Sequence, residues 1–186
     1  MRHALILAVA VAVQAPAAVT LQVRAFNGAD DVTRETRIVV FKAGDRQAAI
    51  AQSRPGVPLE AAVPAGFYDV QAVREQDGRV VNIRWAERLV VMLYPDEDGR
   101  HLEVVNFQSG FGALEVRGHG PEIPDVAIFQ EGARDHEAAR RMDATAAALF
   151  VVPAGRYDLR VRRNGATTWH PGIEVPPDRT RFWVVQ

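Results

Sequence analysis

Few residues of this 186-residue chain have the type and spacing that chemistry requires. Serine occurs only as Ser53 and Ser109, and neither lies in the G-x-S-x-G turn that exposes a hydrolase nucleophile. Cysteine is absent, which excludes a thiolate nucleophile and any disulfide. Beyond His3, the histidines are His101, His119, His136 and His170, with no H-E-x-x-H or other close ligand pair among them. Asp96-Glu97-Asp98-Gly99 has alternating carboxylates that could begin to wrap calcium. Arg100 follows at once, however, and no bidentate glutamate stands at the required offset, so the run reads as an acidic hairpin turn. No phosphate-cradling glycine motif precedes a helix. The chain reads as a non-enzyme, and neither a metal nor an organic cofactor is expected.

What remains suits recognition. Arg156, Arg160 and Arg162 alternate along one strand, and with Arg163 and Arg181 nearby they could grip a phosphate or an acidic glycan. Residues 111–186 hold ten basic and ten acidic side chains, and the whole chain has a formal charge of −1, so no net field steers a polyanion and nucleic acid is not an expected partner. In Arg181-Phe182-Trp183-Val184-Val185 the alternation reads with Phe182 and Val184 inward and Trp183 outward, a contact for protein or sugar. Trp169, ahead of His170-Pro171, is a second candidate, although Trp85 recurs near the equivalent place and favours core packing for both. The binding candidates are thus Trp183, Trp169, Arg160, Arg162 and Arg181. The leading expectation is an interaction or structural module of the cell envelope whose partner is an envelope or extracellular protein, docking on the closing strand around Trp183; the alternative is a glycan stacked on the tryptophans and held by the arginines.

Asp69 and Asp158 are tempting as paired carboxylates for glycoside hydrolysis, which needs two of them facing across a cleft. They are instead the same position read twice. VPAGFYDVQAV at 63–73 returns as VPAGRYDLRVR at 152–162. In each copy Tyr, Val/Leu and Ala/Val alternate with polar residues, the period of a strand with one buried face. Pro and Gly ahead of it make a tight turn, and Asp77-Gly78 and Asn164-Gly165 close the next hairpin with dipeptides favoured in type I′ turns. Tyr68 and Tyr157, just past the turn, are placed to bury their rings and bond their hydroxyls to nearby backbone, as a tyrosine corner does.

The match extends outward. Leu21-Gln-Val23-Arg pairs with Leu114-Glu-Val116-Arg, and Ile38 to Lys42 with Val126 to Gln130; Trp85 pairs with Trp169, and His101 to Phe107 with Arg181 to Val185. Two copies of one all-β unit follow, each of about seven strands and the size of a small sandwich. Asp135 to Leu149 has strong helix propensity, but the repeat sets it against Asp45 to Ser53, and both read as strand-turn-strand. Gln108-Ser109-Gly110 is too short for a flexible tether, so the units should stack end to end with Phe107 and Phe111 near the contact.

At the amino terminus Arg2 and His3 precede an apolar run of ten residues, Ala4 to Val13. A spanning helix needs about 20 apolar residues. The run has the length of a secretory signal, with cleavage after Ala17 or Ala18, because cutting after Ala15 would leave Pro16 first. The expected organisation is a signal peptide over 1–17 and two tandem antiparallel β-sandwich domains, Ig-like or transthyretin-like, over 18–108 and 111–186. The product would be periplasmic or secreted, with no membrane span after cleavage.

The apolar strand, the turn and the Φ-P-x-G-x-Y-x-Φ phrase, centred on 64–70 and 153–159, resemble the carboxypeptidase-regulatory-like and PEGA-like sandwich modules of bacterial envelope and secreted proteins. That resemblance implies a non-catalytic spacer, adhesion or ligand-binding unit. Transthyretin-type sandwiches share the architecture and some are hydrolases, but their closing tyrosine-arginine-glycine-serine motif is absent, since the chain ends RFWVVQ.

Overall fold

The computed structural model of the chain describes residues 18–54, 56–92, 99–118, 124–144 and 146–185. The signal peptide expected over 1–17, His119 and the acidic turn at 96–98 lie outside the described residues. The first half holds β1 (Ala18–Asn27), β2 (Asp30–Asp31), β3 (Thr36–Lys42), β4 (Asp45–Gln52), β5 (Leu59–Pro64), β6 (Gly66–Gln76), β7 (Arg79–Val91) and β8 (Arg100–Asn106). The second holds β9 (Phe111–Arg117), β10 (Asp125–Gln130), β11 (Ala133–Glu137), β12 (Met142–Ala144), β13 (Ala147–Pro153), β14 (Gly155–Arg163), β15 (Ala166–Val175) and β16 (Thr180–Val184). A single 3-10 turn, Thr33–Glu35, interrupts the strands among the described residues.

These strands make four sheets, and no sheet mixes the halves. In the first half β5, β1 and β8 lie side by side with short β2 against β1, and the second sheet runs β4-β3-β6-β7. In the second half the sheets run β12-β13-β9-β16 and β11-β10-β14-β15. The chain is a tandem pair of β-sandwiches. Pairing is antiparallel except where the closing strand of each half joins its opening strand: β8 lies parallel to β1 and β16 parallel to β9. Each closing strand crosses from the far sheet to fill an edge beside the first strand, and a crossover of that kind permits parallel pairing.

The local grammar acts as physical chemistry requires. Asp77-Gly78 and Asn164-Gly165 all have positive φ, between 51° and 78°, the geometry of a type I′ turn. The Tyr68 hydroxyl donates to the Pro64 carbonyl at 2.6 Å and the Tyr157 hydroxyl to the Pro153 carbonyl at 2.6 Å. Burial pushes both phenols up in pKa. The helix-prone stretch becomes β11, β12 and the start of β13; sheet pairing overrides its propensity.

Each sandwich has its own core. Leu21, Val23, Ile38, Val40, Val70 and Leu89 belong to the first, and Leu114, Val116, Ile128, Phe150 and Leu159 to the second. A third buried cluster joins Phe26, Leu102 and Val104 of the first half to Ala113, Leu149 and Val151 of the second. Those residues stand on strand faces turned away from their own cores. The sandwiches therefore pack back to back through β1 and β8 against β9 and β13, which corrects the end-to-end arrangement expected from the short connection. The physical reason is double-sided apolar character: β13 is buried from Ala147 through Val152, so both its faces need cover. Phe107 belongs to the first core, while Phe111 packs against the shared cluster.

The same interface takes in charge. Glu115 and Arg117 on β9 are buried and paired, with Arg117 Nε donating to Glu115 Oε1 at 2.8 Å. The Arg117 guanidinium also stacks over the Phe182 ring, 5.2 Å from its centroid. Nearby on β8, His101 Nε2 lies 2.9 Å from Glu103 Oε1. Burial raises the Glu115 carboxyl above its ordinary value, and the Arg117 charge offsets part of that rise.

Candidate functional site

The structure separates the five sequence candidates. Trp183 does not face outward. β16 pairs parallel to β9 with Trp183 opposite Val116, which is fully buried, so Trp183 takes the inward side and packs against the second core. Its ring meets His170 edge-on at 6.0 Å. Phe182 and Val184 take the opposite face, reversing the expected alternation. A period of two divides β16 into two sets but cannot say which is inside; the register with β9 decides that.

Trp169 is half-buried, on the face of its sheet away from the core, and Trp85 does the same in the first half. The core packing expected for the pair is replaced by a repeated stack. Phe41 and Trp85 lie 5.7 Å apart with the Arg46 guanidinium 4.0 Å from the indole centroid. Phe129 and Trp169 lie 5.1 Å apart with Arg134 at 4.3 Å. Arginine thus covers a face of each indole.

Arg160 is the cross-strand neighbour of Trp169, stacks over Phe129 at 5.1 Å and pairs with Glu137 at 3.1 Å. Arg162 is exposed opposite Thr167. Arg181, opposite Leu114 on β16, belongs to the other sheet of the sandwich. Trp169, Arg160 and Arg162 therefore share one sheet, Trp183 and Arg181 another, and the five do not converge on one site.

The repeated aspartates anchor the stacks. Asp69 and Asp158 are almost fully buried, 3% and 2% exposed. Asp69 accepts from the Arg46 guanidinium at 3.1 Å and from the N–H groups of Arg88 at 2.9 Å and Gly44 at 3.3 Å. Asp158 accepts from Arg134 at 2.9 Å and from the Gly172 N–H at 3.2 Å. For Asp69, burial alone would raise the pKa, but the Arg88 and Gly44 N–H groups and Arg46 together hold it below the ordinary value. For Asp158 the Arg134 hydrogen bond is the main cause of the lowering, working against burial. With every oxygen occupied by its own half, neither carboxylate is placed to act on a substrate. Among the described residues no three of His, Asp and Glu come together as metal ligands.

Sequence reasoning missed a different feature. Large apolar side chains exposed to solvent lie almost entirely in the first half: Ile50, Val57, Phe67, Val80, Val81, Ile83, Val90 and Met92, against Val184 alone among the described residues of the second. Four of them, Val80, Val81, Ile83 and Val90, lie on β7, and Phe67 is the cross-strand partner of Val90. β7 is an edge strand of its sheet. Where the first half has Ile83, Phe67 and Val90, the second has Thr167, Arg156 and Glu174. The β6–β7 hairpin is also longer, with Trp85 standing 19 positions after Gly66 and Trp169 only 14 after Gly155. β3 accompanies β6 only as far as Arg74, so the tip is a two-stranded arm. The signal was present in Val80-Val81-Asn82-Ile83, an apolar run at a hairpin tip with no equivalent in the other copy.

No family model and no curated protein matches the chain. Among solved structures it is similar to the Bacillus anthracis TIE protein, at 14% identity and a TM-score of 0.32, covering 91% of this chain and 34% of that one. It is also similar to a candidate cell adhesion protein of Bacteroides ovatus, at 10% identity and a TM-score of 0.29, covering 92% of each chain. A candidate adhesin from the same organism matches at 10% identity and a TM-score of 0.31, covering 92% of this chain and 89% of the other. The chain spans about a third of the length of the Bacillus protein. At these scores the likenesses assign no activity or partner. Among the described residues no helix is long and apolar enough to cross a membrane.

Proposed function

We propose that this chain is an exported, non-enzymatic protein-interaction module of the cell envelope that docks its partner on the β6–β7 edge of the first sandwich. The observation that carries the reading is the concentration of exposed apolar side chains on β7, with Val80, Val81 and Ile83 each more than half exposed. A long apolar edge strand is a liability that invites another chain to pair with it, and β-strand addition is a recurring mode of protein recognition. The second sandwich, with Thr167, Glu174 and the ion-paired Arg156 at the corresponding places, serves as the structural support. Its back-to-back packing meets β7 only beyond the apolar run, where Asp178 accepts from Arg84 at 2.7 Å and Arg179 donates to the Glu87 carbonyl at 3.1 Å, and Val80, Val81 and Ile83 stay outside the shared apolar cluster. The resemblance of both repeats to PEGA-like modules leads the same way. Glycan binding has less support, because Trp183 is turned into the core and Arg134 covers a face of Trp169.

The test is cross-linking in the native envelope with a photo-reactive residue at position 83, and at its counterpart 167 as control. One dominant protein adduct at 83 and none at 167 is the expected outcome. Equal labelling at both positions, or glycan adducts at 83, would overturn the reading.

A further inference from the structure

The two halves build the same corner around their buried aspartates and finish it differently. The equivalence is fixed by backbone bonds. Ala43 N–H donates to the Phe67 carbonyl at 3.0 Å where Glu131 N–H donates to the Arg156 carbonyl at 3.2 Å. Arg88 N–H donates to Asp69 at 2.9 Å where Gly172 N–H donates to Asp158 at 3.2 Å. In the second half the corner is closed internally. Arg156 reaches the Glu131 carboxylate at 3.2 Å and lies across Gly172, where a Cβ would come within 2.5 Å of its guanidinium.

In the first half Ala43 stands for Glu131, Phe67 for Arg156 and Arg88 for Gly172. The cation has moved from the strand to the bulge, and its carboxylate is gone. Arg88 holds φ at 53°, in the left-handed region that suits glycine and disfavours a side chain. Its guanidinium lies 6.0 Å from the ring centroid of Phe67, a residue 54% exposed. Lys42 stands beside them, and an open groove of about 580 Å³ passes all three. Asp69 and Glu87 also line that groove, but Arg46 engages both. Among the described residues neither Lys42 nor Arg88 has a carboxylate partner.

We propose that this corner is a seat for a carboxylate of the docking protein, taken up where the second half supplies Glu131 from its own chain. Lys42 and Arg88 hold the charge, and an apolar residue next to it in the partner lies on Phe67 and Val90. The inference rests on the protein-docking reading above and adds the chemistry of the partner: an acidic residue flanked by apolar ones.

Nuclear magnetic resonance of the full chain tests it with three probes: acetylated and amidated Leu-Glu-Leu-Glu-Leu, the same peptide with glutamine for glutamate, and inorganic phosphate. The glutamate peptide should shift the amide signals of Lys42, Ala43, Phe67 and Arg88. The glutamine peptide should bind about five-fold more weakly, the scale of one exposed ion pair. Ala43→Glu, which returns an internal carboxylate, and Arg88→Gly, which removes the cation and the left-handed side chain, should each abolish that preference with the folded spectrum retained. Equal binding of the two peptides, shifts confined to other residues, or a preference that survives both substitutions would overturn the seat. Phosphate shifting the same amides as strongly as the glutamate peptide would make it a free-anion site instead. Peptide binding without an adduct at position 83 would sink the docking reading and leave the seat standing; an adduct at 83 without peptide preference would do the reverse.

Discussion

At the scale of single residues, the repeated phrase is explained by two side chains. The tyrosine ties its ring to the turn that precedes it, through a hydroxyl bond to the proline carbonyl in both copies. The aspartate beside it points the other way and gathers the N–H groups of two bulged loops and one arginine. Both aspartates have folded pKa values below the ordinary one. A carboxyl lowered by folding contributes stability at pH above its unfolded value, near 4, and that contribution is lost as pH falls through the folded value. Asp158→Asn should therefore destabilise the protein by about 1–3 kcal/mol at pH 7. The gap from the parent should shrink toward pH 2, read by urea unfolding at several pH values. A gap that stays constant with pH would show that the charge of Asp158 contributes nothing.

At the scale of elements, close approach decides where a side chain is forbidden. Gly112 lies in β9, where a Cβ would stand 2.1 Å from the Pro176 carbonyl oxygen and 2.9 Å from the Val175 side chain. The first contact is with backbone and cannot rotate away. Gly112→Ala should cost about 1–3 kcal/mol, the usual scale of overpacking, measured by denaturant midpoint. An unchanged midpoint would mean that the loop after β15 moves without cost. The β6–β7 arm behaves oppositely. Ile83 is exposed and its counterpart is threonine, so Ile83→Thr should change stability by less than about 0.5 kcal/mol, whatever it does to docking.

At the scale of the molecule, the shared cluster makes two sandwiches into one body. Phe26, Leu102, Val104, Ala113, Leu149 and Val151 are buried between the halves, alongside the Glu115–Arg117 pair. The chain should unfold in a single transition by tryptophan fluorescence and circular dichroism alike. Leu149→Asp would place an unpaired carboxylate in that cluster, cost several kcal/mol and split the transition in two. Two transitions in the parent would show that the interface does not couple the halves.

The all-β class, both type I′ hairpins and both tyrosine corners were legible in the residues alone, because each depends on neighbours a few positions apart, and the tandem units were legible because the same local phrase is written twice. Period-two alternation, positive-φ dipeptides and a ring just past a turn are local physics. The facing of Trp183 was not legible, because alternation defines two faces and only the pairing of β16 with β9 chooses between them. Back-to-back packing was hidden for a similar reason: a strand apolar on both sides, such as β13, shows that each face needs cover without saying what covers it. The open seat at Arg88 was hidden more deeply. Ala43, Phe67 and Arg88 are far apart in sequence, and their meaning emerged only when the folded second copy showed Glu131, Arg156 and Gly172 filling the same place.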